Sequence, residues 1–542
     1  MSKSVIYLLF LLAASARGRV ATIDDTLPDV SANAIKDEIK PIRNASEVHI
    51  VDLPTVTPRI EETTENANLN VTCGDVKENS VDSDLSEACS VLPSNDNGTA
   101  LILTPYIKEN RLEEARNACR VSNQDLFLGV DSYSGFFTVN ETLESNMFFW
   151  YFPVENKPVN ETPWIVWLQG GPGASSMTGL FDEIGPFHVT FDGTLIRNKY
   201  SWLENHSLLF IDNPVGTGYS YTNSPEGYAQ DMETYGDHLH LVLKQFLRVF
   251  PELRSAPLFV AGESYAGKYV PALAVRLHRD KHLPGENVNL RGLIAGNAYV
   301  DPAMISQMER PFYYFGLMES EQIDIVKPLI QAFQDDIAAH RSAEAKDKWN
   351  HLITVLLVIT QQKHAYNFLR DDLPVGKYIM FLQKPEVKRA LHVGDIKFSF
   401  VNMTVNAKLN GDFLSSAKGL YEELLNHYRV LTYCGQLDQM LSCVLTSENY
   451  RTWHWNGQKE FLDATRYPFV FNGKLSGYHK SGGQLTEVVI RGAGHMAPMD
   501  APAPTQTLVA RWTHAQSLGR VSLLEGSFLT EYVRNNSIVH YL

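Results

Sequence analysis

One serine in the chain has the neighbours expected of a nucleophile. Ser264 follows the apolar run Leu258–Ala261 and Gly262, and a stretch that suits a helix begins just after it. With Gly262 two residues before the serine and Ala266 and Gly267 after it, the sequence approximates the pattern Gly-x-Ser-x-Gly. Small residues at these positions allow a sharp strand-to-helix turn that exposes the hydroxyl. Ser264 is therefore the candidate nucleophile.

A serine hydroxyl reacts only when a base removes its proton, and an acid must orient that base. The predicted strand Val430–Tyr433 ends near Gly435, which would let the following Asp438 turn into the site. His495 follows one further predicted strand and lies in a glycine-rich loop. The order serine, acid, histidine is typical of α/β-hydrolases. We expect these three side chains to form a catalytic triad.

Acyl transfer also requires two backbone N–H groups near the attacked carbonyl oxygen. The residue after the nucleophile, Tyr265, would supply one. Gly171, just after the early apolar strand that ends at Leu168, would supply the other, because a glycine permits close approach. We predict an oxyanion hole formed by the N–H groups of Gly171 and Tyr265.

Strand and helix patterns alternate along the chain, which predicts an α/β fold with a mostly parallel central sheet and helices on both faces. Regular structure is expected from about Leu126, with an antiparallel pair of strands over 136–139 and 147–152. Further strands are predicted at 163–168, 207–212, 258–261, 290–295, 430–433 and 487–491. Residues 301–410 show helical spacing without a clear strand, which predicts a helical cap inserted over the site.

The amino terminus is typical of a secreted protein. Residues 1–16 contain Lys3, a short apolar core and the small-residue sequence Ala14–Ala16, as in a signal peptide. Residues 17–104 are polar and predict a flexible extension or pro-segment. N-glycosylation sequons occur at Asn44, Asn70, Asn97, Asn140, Asn160, Asn205, Asn402 and Asn535. We expect a glycoprotein that is secreted or delivered to the lysosomal or endosomal lumen.

Composition excludes several other classes. The net charge of −15 with no basic stripe argues against nucleic-acid binding. No later apolar run approaches the ~20 residues of a membrane span. Among the five cysteines, Cys73 with Cys89 and Cys434 with Cys443 are plausible local disulfides, which leaves Cys119. No metal site or cofactor is predicted, because metal-ligand spacing is missing from the sequence.

The chain resembles the serine carboxypeptidases, and most closely their vitellogenic-like branch. Four segments match the family in order: Leu168–Gly173, Asp212–Ser220, Gly262–Pro271 and Gly492–Pro498. The similarity extends from about Leu126 to the carboxyl terminus, and we assign residues 105–542 to the catalytic domain. The family implies an α/β-hydrolase fold and release of single residues from the C-termini of peptides and proteins, often best at acidic pH.

The resemblance also assigns substrate-binding roles. It implies that Gln169, Glu183 and Glu263 bind the terminal carboxylate of the substrate and that Met496 lines the pocket of the leaving residue. Two close carboxyls that share a proton can donate a hydrogen bond to a carboxylate, and this should fail as pH rises. Most family members have Asn where this chain has Gln169, and Cys where it has Ala174.

Other functions remain compatible with the sequence. An esterase or acyltransferase would use the same fold, and a catalytically silent binding or scaffold protein would normally lack a triad residue. The sequence does not determine the oligomeric state, and a homodimer is one of the states that it allows. The favoured interpretation is a carboxypeptidase that works through an acyl-enzyme.

Overall fold

The structure is a computed structural model that describes residues 97–519 apart from 122, 123, 284 and 286. Residues 1–16, most of 17–104, Cys73, Cys89 and the sequons at Asn44, Asn70 and Asn535 lie outside the described residues, so the predictions for them stay predictions.

A ten-stranded sheet forms the centre of the described chain. The strands of the described residues are β1 Tyr133–Asn140, β2 Ser145–Phe152, β3 Trp164–Leu168, β4 Phe187–Val189, β5 Leu195–Arg197, β6 Ser207–Ile211, β7 Leu258–Glu263, β8 Leu290–Gly296, β9 Arg429–Gly435, β10 Tyr467–Phe471, β11 Lys474–Gly482 and β12 Leu485–Ile490. Their order in the large sheet is β1-β2-β6-β3-β7-β8-β9-β12-β11-β10. The six consecutive strands of this order from β6 to β12 run parallel, and an antiparallel pair lies at each edge. The pair β4-β5 forms a separate small sheet.

Helices cover both faces of this sheet. The α-helices of the described residues are α1 Thr104–Lys108, α2 Leu112–Ala118, α3 Met232–Val249, α4 Ala266–Asp280, α5 Glu309–Tyr314, α6 Ser320–Ala338, α7 Ser342–Thr360, α8 Tyr378–Leu382, α9 Pro385–Ala390, α10 Met403–Lys408, α11 Lys418–Leu424, α12 Cys443–Tyr450, α13 Gln458–Asp463, α14 Ala497–Asp500 and α15 Pro502–Thr513. A π-helix spans Gly179–Glu183.

The continuous apolarity of the central strands follows from this arrangement. In β3, Val166 and Leu168 pack in the core on the side of α3 and α4, whereas Ile165 and Trp167 pack in the core that includes Trp512 of α15. Successive side chains of a strand point to opposite faces, so a strand covered on both sides must be apolar at every position. The predicted α/β sheet with helices on both faces is confirmed.

Residues 301–410 contribute no strand to either sheet. Helices α6 and α7 share a separate apolar cluster that includes Val326, Ile330, Leu352 and Leu356. The helical spacing predicted for residues 301–410 therefore includes the buried face of α6, to which Val326 and Ile330 belong.

The prediction that regular structure begins near Leu126 is wrong. Helices α1 and α2 precede it, and Leu103 is fully buried beside α1. These helices have 5 and 7 residues, which is too short for an apolar periodicity to be read from the sequence. The edge hairpin β10-β11 was also not predicted, because β10 is only partly buried and contains Pro468.

Among the helices of the described residues, none combines the length and apolarity that a membrane span requires. Within the same residues, no group of three or more His, Cys, Asp or Glu side chains is arranged to hold a metal ion.

Candidate active site

The turn between β7 and α4 holds Ser264 in an unusual conformation. Its φ is +62°, in the left-handed region that non-glycine residues seldom adopt. Hydrogen bonds fix the turn from both sides, because the Ser264 N–H donates to the Gly296 carbonyl (3.0 Å) and its carbonyl accepts from the Tyr299 N–H (2.8 Å). Such local strain at a strand-to-helix turn is a feature of reactive sites. Ser264 is half-buried and lines a cavity.

The same cavity is lined by His495, which lies in the loop between β12 and α14. Its Nδ1 is 2.8 Å from Oδ2 of Asp438, which is fully buried behind the ring. Oδ1 of Asp438 accepts from the backbone N–H groups of Met440 (2.8 Å) and Leu441 (3.1 Å). The structure therefore brings the predicted acid and histidine together and places the histidine at the cavity of the predicted serine.

Contact between two loops produces this pairing. The loop after β9 carries Asp438, the loop after β12 carries His495, and the Leu437 N–H donates to the Ala493 carbonyl (2.7 Å). A Cβ on Gly435 would lie 1.9 Å from the Gly494 carbonyl oxygen, so only glycine fits there. The predicted disulfide between Cys434 and Cys443 is present and closes the loop around the acid. Cys119 is buried and free.

Three further side chains that the sequence analysis did not identify hold these loops. Asn297 donates from Nδ2 to Oδ2 of Asp438 (2.7 Å). The Tyr366 carbonyl accepts from the His495 N–H (2.6 Å), and its ring contacts the imidazole edge to face with centroids 4.7 Å apart. Oδ2 of Asp500 accepts from the Gly494 N–H (2.8 Å). No sequence signal marked these residues, because their roles exist only where distant segments meet.

The loop after β3 reaches the nucleophile turn. A Cβ on Gly170 would lie 2.4 Å from the Tyr265 nitrogen, so the two backbones touch only because Gly170 has no side chain. Gly171 has φ of +108° and lines the cavity beside Ser264. In the described residues, neither the Gly171 nor the Tyr265 N–H has a protein acceptor. Further along this loop, Oδ1 of Asp212 accepts hydrogen bonds from the Ser175 hydroxyl (2.6 Å) and the Ser176 N–H (3.0 Å).

Gln169, Glu183 and Glu263 form one buried cluster. Nε2 of Gln169 donates to Oε1 of Glu263 (3.1 Å) and lies 3.4 Å from Oε1 of Glu183, and its Oε1 accepts from the Trp167 indole (3.0 Å). Burial raises the pKa of Glu183 to about 7. Burial, and then the neighbouring Glu183 carboxyl, raise the pKa of Glu263 well above its ordinary value. The cluster therefore retains protons at acidic pH.

The cavity has a volume of about 230 Å³ and two different walls. The sheet wall consists of Gln169, Gly170, Gly171, Glu263, Ser264 and His495. The helix wall is one face of α7 and consists of Lys346, Trp349, Asn350, Ile353 and Thr354. Met496, predicted to line the pocket of the leaving residue, also lines the cavity and is 6% exposed.

Five predicted sequons lie in the described residues, and glycosylation at all of them stays a prediction. Asn160 is exposed, and Asn97, Asn140 and Asn205 are half-buried. Asn402 caps α10 and donates from Nδ2 to the Gly216 carbonyl (2.6 Å), so a glycan there would have to accommodate this contact.

Comparison with known proteins identifies the family. Residues 123–515 match the serine carboxypeptidase family model. The vitellogenic carboxypeptidase of Aedes aegypti is 37% identical over 444 residues, which cover 78% of this chain and 92% of that protein. The venom serine carboxypeptidase of Apis mellifera is 37% identical over 79% of this chain and 93% of the relative. The human probable serine carboxypeptidase CPVL is 35% identical over 80% of this chain and 93% of the relative.

A solved structure agrees with these sequence relatives. The crystal structure of Kex1Δp, a prohormone-processing carboxypeptidase from Saccharomyces cerevisiae, is 26% identical and superposes with a TM-score of 0.65. The match covers 71% of this chain and 91% of the yeast chain. The chain belongs to the serine carboxypeptidase family and is a hydrolase with the α/β-hydrolase fold.

Proposed function

We propose that the protein releases single residues from the C-termini of peptides and proteins through an acyl-enzyme, with Ser264, Asp438 and His495 as the catalytic triad. The observation that carries the proposal is the 2.8 Å contact between His495 Nδ1 and Asp438 Oδ2 at the cavity that Ser264 lines. Asp438 accepts a hydrogen bond from the Nδ1–H group, which holds the ring in the tautomer whose unprotonated Nε2 can act as the base.

The reaction then proceeds in two acyl transfers. Ser264 Oγ attacks the scissile carbonyl carbon, and Nε2 of His495 takes the hydroxyl proton. The C–N bond breaks, and the same proton passes to the leaving amine. In the second transfer, water attacks the resulting ester while His495 takes its proton. The ester bond to Ser264 Oγ breaks, and this proton passes to Oγ to restore the hydroxyl. The N–H groups of Gly171 and Tyr265 stabilise the oxyanion in both transfers.

Gln169, Glu183 and Glu263 would restrict cleavage to the last residue by binding its free carboxylate. A protonated carboxyl and the Gln169 amide donate to that carboxylate. Because burial raises the pKa of Glu183 to about 7, the required proton is present at acidic pH and lost as pH rises through that value. Deprotonation replaces a donor with a like charge, so the enzyme should work best at acidic pH.

The proposed cellular location follows from sequence features and one disulfide. The predicted signal peptide, the sequons and the disulfide between Cys434 and Cys443 together favour the secretory pathway. A relative is named a venom enzyme, which agrees with secretion for that protein. We therefore place this chain outside the cell or in the lysosomal or endosomal lumen.

The Ser264→Ala variant tests the proposal. It should reduce kcat/KM for an N-blocked free-acid peptide by at least about 10⁴-fold, because the acyl-enzyme cannot form. Exposed Ser415 provides the matched control, and Ser415→Ala should keep wild-type activity. The same peptide with a C-terminal amide should be cleaved far more slowly by the wild type. Equal cleavage of acid and amide would exclude a carboxypeptidase, and an active Ser264→Ala variant would exclude the triad.

A further inference from the structure

A buried lysine on the helix wall has no role in the proposed reaction. Lys346 is 7% exposed and lines the cavity that Ser264 and His495 also line. The other helix-wall residues follow it at positions three, four, seven and eight, which is one face of an α-helix. Lys346 therefore forms part of the wall of the cavity in which a substrate would bind.

The charge of Lys346 is not balanced by a nearby carboxylate. Its Nζ donates to the Asn406 carbonyl (2.9 Å), to Asn406 Oδ1 (2.7 Å) and to Asn410 Oδ1 (2.7 Å), all of which are neutral oxygens. Within the described residues it forms no ion pair. Asp347, the nearest negative influence, is exposed on the adjacent position of the helix.

A buried cation of this kind favours an anion in the space beside it, since the cavity screens charge less than water does. Burial lowers the pKa of Lys346 to about 8, so the group remains protonated at acidic and neutral pH. The other residues of the helix wall are uncharged, and Trp349 and Ile353 are apolar. Lys346 is therefore the one charged residue of the helix wall.

The contacts of Lys346 also allow a structural role. Asn406 donates from Nδ2 to the Pro172 carbonyl (3.2 Å), which joins Lys346 indirectly to the loop that carries Gly171. A role confined to holding this loop would change the cleavage of every substrate by the same factor. A role in recognition would change the cleavage of acidic and neutral substrates by different factors.

We propose that Lys346 forms a cationic subsite for a second carboxylate of the substrate, so that the enzyme prefers peptides with Asp or Glu at one of the two C-terminal positions. This inference rests on the proposed function, in which the terminal carboxylate is already bound by Gln169, Glu183 and Glu263. The second carboxylate belongs either to the leaving residue or to the residue before it.

Four N-benzyloxycarbonyl dipeptides separate these two sources. The members of each pair differ in charge at one position. Glu-Phe and Gln-Phe differ at the residue before the leaving residue, and Phe-Glu and Phe-Gln differ at the leaving residue itself. At about pH 6 the glutamate side chain is ionised. The wild type should cleave the Glu member of one pair with kcat/KM about tenfold higher than the Gln member. Lys346→Met should bring that ratio to about 1, and Lys346→Arg should retain most of it.

Exposed Lys363, which does not line the cavity, gives the matched control: Lys363→Met removes the same charge and should retain the ratio. The inference is overturned if both wild-type ratios are near 1, or if Lys346→Met keeps the preference while all rates fall equally. If Lys346→Met does not fold, Lys346→Gln replaces it with the same expected ratio. If the wild type cleaves none of the four peptides, this result would instead reject the proposed function.

Discussion

The two walls of the cavity differ in how their residues are held. Residues of the sheet wall lie on short turns at the ends of parallel strands, where backbone hydrogen bonds fix both sides of Ser264 and of the acid loop. The helix wall belongs to α7, which packs mainly on α6 through a separate apolar cluster. In the proposed reaction, the triad and the carboxyl cluster that binds the substrate terminus belong to the sheet wall, and the helix wall would contribute contacts to the substrate side chains.

The largest expected effect is that of removing the charge of the buried acid in the sheet-wall site. Asp438→Asn should reduce kcat on the order of 10⁴-fold with little change in KM, because the imidazole would no longer be held in the reactive tautomer. Steady-state kinetics on a free-acid peptide measures this. Asp371→Asn, at an exposed position, should behave as the wild type. If Asp438→Asn reduces kcat less than tenfold, Asp438 does not act as the acid of a catalytic triad.

A second prediction concerns the carboxyl cluster of the sheet wall. KM for a free-acid peptide should rise as pH passes about 7, approaching tenfold per pH unit, because Glu183 loses its proton and its negative charge then repels the substrate carboxylate. The double variant Glu183→Gln with Glu263→Gln keeps amide donors but cannot titrate. Its KM should change by less than about threefold between pH 5 and 8.

The corresponding measurement is KM across pH for both proteins under the same buffer conditions. An amidated peptide is the control substrate, because it has no terminal carboxylate for the carboxyl cluster to bind. If KM of the wild type stays constant across pH 5 to 8, the buried carboxyls do not bind the substrate terminus.

A third prediction, of smaller effect, tests the helix wall. Trp349→Ala should raise KM about tenfold for peptides with large side chains and leave kcat within about threefold, because it removes cavity surface without touching the triad. Steady-state kinetics with a series of peptides measures this. Trp349 also packs against Phe413, with ring centroids 5.5 Å apart, so circular dichroism should check that the variant folds. A fall in kcat as large as that for Asp438→Asn would erase the distinction between the walls.

The same contrast explains what could be predicted from the sequence. The central strands were predictable because burial on both faces makes segments such as Trp164–Leu168 continuously apolar. Ser264, Asp438 and His495 were predictable as candidates because each follows a strand, and parallel strands end at one edge of the sheet. The predicted cluster of Gln169, Glu183 and Glu263 depended on the family resemblance instead of on spacing.

The remaining features depend on contacts between segments that are distant in sequence. Asn297 lies 141 residues from the acid that it holds, and Lys346 lies 60 residues from the asparagine that it contacts. A buried lysine or asparagine has the same local sequence signature as an exposed one. Helix α7 lies within residues 301–410, for which helical spacing was predicted, but which of its faces meets the cavity follows only from its packing on α6.

Chemical labelling of the nucleophile tests the central claim most directly. Treatment with diisopropyl fluorophosphate should place one phosphoryl group on Ser264, seen by peptide mass spectrometry, and peptide hydrolysis should be lost in proportion to labelling. The His495→Gln variant should label far more slowly, because its serine is not activated. A fully hydrolysing protein with no adduct, or an adduct on another residue that accounts for the lost activity, would contradict the assignment of Ser264 as the nucleophile.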